Sequence, residues 1–120
     1  MDTKKIGNDG ENRACFFLIQ KGYEILFRNW HDKLGELDII AQKSDTIIFI
    51  EVKTIPNGTI DMLRSVLGPR KKQKIIKTSK RFLYKYRKYS MNLIRYDVIV
   101  LDMEGLPPVY HIENAFMENL

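Results

Sequence analysis

Glu51 and Lys53 stand two residues apart at the end of the apolar run Thr46-Ile47-Ile48-Phe49-Ile50, and Asp38 lies thirteen residues before Glu51. Alternate residues of a strand share a face, so a strand here sets Glu51 and Lys53 side by side with Ile47 and Phe49. Charges at the end of so apolar a segment are costly unless they are exposed, paired or bound to a metal. If the preceding strand pairs as a hairpin, Asp38 faces Glu51 across the ladder. Two ionised carboxylates at that separation repel, and a divalent cation resolves the repulsion. Hard oxygen donors without histidine or cysteine support point to Mg²⁺ or Mn²⁺. Lys53 is then placed to position or help activate a water, while the cation would lower the pKa of that water and neutralise charge on a scissile phosphate. A Glu-x-Lys triplet alone is a weak signal, because the same residues can form salt bridges at a solvated strand end with Asp38 paired to an arginine. An upstream Asp, an apolar strand and a following basic helix together favour chemistry.

These side chains need elements to carry them. Asn8 with Glu11 three residues later has capping-box spacing, which predicts a helix over 9–21 ended by Gly22. On it Glu11, Ala14, Cys15 and Leu18 share a face. Strands are predicted over 23–29, 36–42 and 46–54, joined by short turns that suit antiparallel hairpins. In the second of these, Glu36, Asp38 and Ile40 fall on one face and Leu37, Ile39 and Ala41 on the other. Pro56, Asn57, Gly58 and Gly68 mark 55–68 as the flexible stretch. A second helix is predicted over 69–89, with Pro69 in its first turn and Ile75, Ile76, Ser79, Phe82, Leu83 and Tyr86 on its buried face. A strand follows over 93–101, and a long helix between two apolar strands makes the third and fourth strands parallel. After Pro107 and Pro108, 109–112 reads as a short edge strand and 114–118 as a helical turn. The sum is an α/β fold, a mixed sheet flanked by helices.

The chain has 120 residues, which fits one domain over 1–120, and 44% are hydrophobic, enough for a core without staples. One cysteine, Cys15, excludes an internal disulfide and a thiolate zinc cage; Cys15 itself reads as core. His31 and His111 are the two histidines, too few for a histidine-rich metal site, and His111 reads as a capping or packing residue. No segment is long and apolar enough to span a bilayer and no signal peptide is visible, so the chain is read as cytoplasmic with no membrane partner. The net charge of +5 is unevenly spread. No Asp or Glu occurs from Met62 to Tyr96, and eleven Lys or Arg residues lie between Arg64 and Lys88, so the remainder nets −6. Such a segment fits a polyphosphate partner, although a solvated helix face would look similar. Arg70, Lys71, Lys72, Lys74, Lys77, Lys80 and Arg81 are the candidate nucleic-acid contacts. Tyr84, Tyr86 and Tyr89 alternate with basic residues, but core and surface-cover roles explain them.

Asp38 followed by Glu51-Val52-Lys53 resembles the motif of the PD-(D/E)xK nuclease superfamily, which includes restriction endonucleases and archaeal Holliday junction resolvases. The chain is more closely similar to the YraN-like family of predicted endonucleases. That pattern is carried by Gly10-Glu11 with Ala14, Gly22-Tyr23, Arg28-Asn29-Trp30, Gly35-Glu36-Leu37-Asp38-Ile39-Ile40-Ala41 and Phe49-Ile50-Glu51-Val52-Lys53-Thr54. Lys72-Gln73, Arg95-Tyr96-Asp97-Val98, His111-Ile112 and Asn114-Ala115-Phe116 complete it. The resemblance implies a restriction endonuclease-like fold with Asp38 and Glu51 as metal ligands and Lys53 as the catalytic lysine. It makes Glu11 an extra helical carboxylate near the metal, alongside the capping role already noted. Glu36 and Gln73 become supporting residues around the site, with exposed surface roles the alternative for each. It also implies structured or branched DNA as substrate and action as a homodimer. His31 and Ile55 depart from the pattern at positions where the family often has arginine. A nucleic-acid-binding module of the same fold without cleavage is the alternative function, and a structural partner in a repair or uptake complex is a third.

Overall fold

The computed structural model describes residues 3–118, apart from the side chains of residues 3–8 and 64. Its elements run α1 (Thr3–Gln20), β1 (Glu24–His31), β2 (Glu36–Lys43), β3 (Thr46–Thr54), a 3-10 turn at Ile60–Ser65, α2 (Pro69–Lys85), a second 3-10 turn at Arg87–Tyr89, β4 (Leu93–Leu101) and β5 (Val109–Phe116). The strands form one sheet in the order β1-β2-β3-β4-β5. β3 and β4 are parallel, and the other neighbouring pairs are antiparallel. This mixed α/β sheet with a helix on each face is consistent with the restriction endonuclease-like fold. Among the described residues, no helix is long and apolar enough to cross a membrane.

β3 is central and covered on both faces, which is why it reads as a continuous apolar run. Ile47 and Phe49 pack toward α2, and Ile48 and Ile50 toward α1. The α1 face is aliphatic and closes on Ala14, Cys15 and Leu18. The α2 face is aromatic. The fully buried ring of Phe82 meets Phe27, Trp30 and Phe49 edge-on and lies against Tyr86 and Tyr89. Edge-to-face geometry adds to area burial because the positive ring edge meets a negative face.

Several predicted boundaries and faces change. α1 starts at Thr3, so Asn8 lies inside the helix and the Asn8–Glu11 capping box does not form. Tertiary contact overrides the local signal: a Cβ at Gly10 would lie 2.9 Å from Leu101 Cδ1, so the glycine lets the helix settle on the sheet where propensity alone would start it later. α2 ends at Lys85 and the chain tightens into the 3-10 turn at Arg87–Tyr89. β5 continues through Phe116, so the helical turn predicted at 114–118 is absent. Asn114 takes φ 52° and gives its N–H to Asp97 Oδ1, which carries the strand past an irregular rung until Phe116 pairs with Tyr96. The 55–68 stretch is less open than its glycines and proline suggest, since Gly58 and Leu67 are buried and Ile55 packs on the α2-face core.

The most consequential change is in β2. Leu37 lies on the α2 face with Ile40, whereas Ile39 and Ala41 face α1, so simple alternation fails around Asp38. On the neighbouring strand Arg28 pairs with Ile39 and Trp30 with Leu37, and the residue between them, Asn29, has φ 53°. Asn tolerates this left-handed conformation better than most side chains. The two strands therefore turn together at the Asn29–Asp38 rung.

Phe82→Ala removes the ring that joins β1, β3 and α2. It is expected to lower unfolding free energy by about 3–5 kcal/mol, read as a shift of the urea midpoint. A loss under 1 kcal/mol would show that the aromatic cluster does not organise this face.

Candidate functional site

The paired part of β2 and β3 ends at Ile39–Ile50. One step further the register would set Asp38 opposite Glu51. Instead the Asp38 carboxylate takes the place of a rung, with Oδ2 accepting the Val52 N–H at 2.9 Å. A backbone donor at the sheet's broken edge is thereby satisfied, and the carboxylate is fixed beside the end of β3. Glu51 continues the α2 face of β3 after Ile47 and Phe49 and is buried at 8% exposure. Two ammonium groups approach one of its oxygens: Lys53 Nζ lies 3.9 Å and Lys71 Nζ 3.6 Å from Glu51 Oε1. Lys53 comes from the same strand, and Lys71 from the first turn of α2.

Burial pushes the Glu51 carboxyl up to about 7, and the adjacent Asp38 carboxylate pushes the same way, against the two lysines. Glu11 descends from α1 to the same corner. Its Oε1 is buried with no hydrogen-bond partner. Its pKa is raised by burial and by the negative charges of Asp38 and Glu36, with Arg28 and Asn29 opposing. The structure therefore brings Glu11, Asp38, Glu51 and Lys53 to one end of the sheet. It also adds Lys71, which the sequence marked only as one of many phosphate contacts.

The donor set fits a hard divalent cation. Every donor is a carboxylate oxygen, one buried oxygen is orphaned, and the ionisation of Glu51 is held back by a neighbour of the same sign. Among the described residues no three carboxylate, histidine or cysteine side chains already converge on one point.

The other candidates spread around this centre. Glu36 is exposed and lines a cleft between α2 and the β1–β2 turn with His31, Lys33, Lys71 and Lys74. Lys72, Gln73, Lys77 and Lys80 line a separate groove between α2 and β5, and Gln73 is exposed there. Arg70 is exposed at the start of α2. Besides Lys71, two of the basic residues are already engaged by acids. Arg81 Nε lies 2.5 Å from Asp32 Oδ2, clamping the β1–β2 turn to α2, and this pair holds the Asp32 carboxyl well below the usual range. Lys80 pairs with Glu118. Of the two departures from the family pattern, His31 is exposed at the cleft and Ile55 is half-buried, packed against the α2-face core.

A second buried acid lies on the α1 face. Asp97 accepts hydrogen bonds from Arg95 Nε at 2.9 Å, His111 Nε2 at 2.7 Å and the Asn114 N–H at 2.9 Å. Burial raises its pKa, but these donors outweigh burial and hold it below the ordinary value. Lys21 Nζ lies 3.1 Å from His111 Nδ1 and can only donate, which assigns the Nε2 proton to the Asp97 bond. His111 is thus a packing residue, edge-on to Phe17 and Tyr23.

Fold and geometry define a class: a mixed-sheet α/β protein with an acid pair and a lysine at the broken end of its central strand. The comparisons give the family. Residues 10–101 match the model of the uncharacterised protein family UPF0102. A UPF0102 protein of Treponema pallidum (strain Nichols) is 40% identical over 118 residues, covering 95% of this chain and 94% of the relative. One from Phocaeicola vulgatus is 40% identical over 117 residues, covering 96% and 94%. One from Alkaliphilus oremlandii is 40% identical over 117 residues, covering 95% and 99%. The chain belongs to the UPF0102 family.

The raised Glu51 pKa has a stability consequence with a definite sign. Between about 4.5, where the unfolded carboxyl ionises, and about 7, the folded chain holds a proton that the unfolded chain has lost. Stability contributed by this group therefore falls as pH rises through that window and levels off above it. Glu51→Gln is expected to flatten the slope and to be the more stable protein at pH 8 without added metal, by on the order of 3 kcal/mol at most. Urea midpoints at pH 5 and pH 8 measure this; parallel slopes for the two proteins would count against it.

Proposed function

We propose that this chain is a cytoplasmic metal-dependent nuclease that hydrolyses phosphodiester bonds of nucleic acid, with structured or branched DNA as its substrate. The observation that carries this reading is the buried Glu51 carboxylate beside Asp38, with two lysines aimed at the same oxygen. Asp38 and Glu51 would hold Mg²⁺ or Mn²⁺, which supplies charge neutralisation at the scissile phosphate and makes the attacking water more acidic. Asp38 is oriented for this by the Val52 N–H, so its free lone pairs have a fixed direction. Lys53, anchored two residues from Glu51, presents an ammonium that orients the water and offsets charge on the phosphoryl oxygens. The orphaned Glu11 Oε1 is an acceptor for a water hydrogen at the opposite wall. In the reaction the water oxygen forms the new bond to phosphorus as one of its protons passes to solvent, the bond to the leaving sugar oxygen breaks, and a proton from solvent restores the alcohol. The lysines of α2 hold the flanking backbone by charge, which favours shape over sequence. Two copies acting as a homodimer would cut both strands of a branched substrate.

One observation favours a second reading, a binding module without cleavage. Lys53 and Lys71 already neutralise Glu51 within the chain, so the site can persist without a metal.

The two readings separate in one assay. Purified protein is incubated with linear, single-stranded and branched DNA, with and without Mg²⁺ or Mn²⁺. Metal-dependent cleavage that drops about a hundredfold or more in both Asp38→Ala and Lys53→Ala supports the nuclease. Salt-sensitive binding with no cleavage under either metal leaves the binding module.

A further inference from the structure

Lys71 differs from the other basic residues of α2. Lys72, Lys77 and Lys80 line the groove toward β5, whereas Lys71 turns to the opposite side of the helix start and places Nζ 3.6 Å from Glu51 Oε1. Its side chain keeps 37% exposure and also borders the cleft of about 340 Å³ between α2 and the β1–β2 turn, with His31, Lys33 and Lys74. Lys71 therefore has access to two anionic partners: Glu51 behind it, and any phosphate lying in a cleft edged by His31, Lys33 and Lys74; the two acids of that cleft are Asp32, already engaged by Arg81, and the exposed Glu36.

The charges of the centre make these partners alternatives. A bound cation requires Asp38 and Glu51 both ionised, and with Lys53 and Lys71 protonated the charges of these four side chains cancel before the cation's own is added. A divalent cation at the carboxylates leaves an excess of two positive charges in a half-buried corner. One ammonium must then withdraw or acquire an anion. Lys53 is held close by the strand it shares with Glu51. Lys71 sits on another element, on a flexible four-carbon stem that opens onto the cleft.

We propose that Lys71 is an exchangeable counter-ion: it neutralises Glu51 in the metal-free protein, is displaced by the divalent cation, and then holds a phosphate of the bound nucleic acid in the cleft between α2 and the β1–β2 turn. The proposal rests on the nuclease reading of the same site. It makes Lys71 a positioning residue that couples two ligands. Metal frees the lysine for phosphate, and phosphate removes the lysine that competes with metal, so each tightens the other by the same factor.

The test is calorimetric binding of Mn²⁺ to the intact wild-type chain and to Lys71→Met, Lys71→Arg, Lys72→Met and Asp38→Ala. It is paired with binding of a fluorescent phosphorothioate DNA duplex with and without Mn²⁺. Lys71→Met should bind Mn²⁺ about fivefold more tightly than wild type, yet lose most of the metal-induced gain in DNA affinity. A merely structural lysine would not move the two in opposite directions. Lys71→Arg restores the wild-type pattern, and Lys72→Met weakens DNA binding equally with and without metal. If Lys71→Met binds Mn²⁺ no more tightly than wild type, or keeps the full metal-induced gain, the exchange is overturned while the nuclease reading stands. If wild type fails to bind Mn²⁺, or Asp38→Ala binds it equally well, the nuclease reading falls and the exchange falls with it.

Discussion

Two carboxylates held side by side at the end of an apolar strand set a problem that the rest of the molecule is arranged around. Glu51 is carried into burial because it continues the α2 face of a strand whose preceding residues are core. Asp38 is brought beside it because β2 leaves the ladder after Ile39, and the Asp38 carboxylate takes over the Val52 N–H. That departure depends on the turned rung at Asn29, and so on the whole β1–β2 hairpin, which Arg81 ties to α2 through Asp32. Gly10 matters for the same reason: a side chain there would meet Leu101 and Thr54, and α1 could not bring Glu11 down onto the corner. In the free chain the repulsion is eased by a retained proton and by two lysines.

Elements whose signal is periodic and whose ends are marked by turn residues were legible from residues alone. β3 and β4 have the expected bounds, their parallel pairing follows from the helix between them, and α2 starts at Pro69 as read. Cys15 is core, as its apolar neighbours implied, and His111 is a packing residue, one of the two roles expected of it. What escaped was settled by contacts between distant segments. The start of α1 depends on Gly10 meeting β3 and β4, and the continuation of β5 depends on Asn114 meeting Asp97. The face of Leu37 depends on a left-handed residue in the neighbouring strand, which no period-2 reading of β2 can contain. The nearness of Asp38 to Glu51 was legible because both lie on adjacent strands with a short turn between, but not its form: the ladder ends at Ile39–Ile50 and Asp38 binds the Val52 N–H in place of a rung. The approach of Lys71 was not, because its neighbours in sequence are equally basic and only the crossing of α2 over the end of β3 singles it out.

The same sheet buries a second acid in a contrasting environment. Asp97 is more deeply buried than Glu51, yet its carboxyl is held below the ordinary range because Arg95, His111 and a backbone N–H all donate to it. Those donors come from β4 and β5, and His111 links onward to Lys21 at the end of α1, so the network locks the edge strand and the helix to the sheet. Every lone pair it needs is spent inside the fold, and nothing remains to offer a ligand. Glu51 has the opposite environment. Its partners are another carboxylate and two lysines beyond ordinary hydrogen-bond reach, and its carboxyl is pushed up toward neutrality. Burying so poorly satisfied a carboxyl costs stability. Burial alone does not distinguish the two acids; the direction of their pKa shifts does.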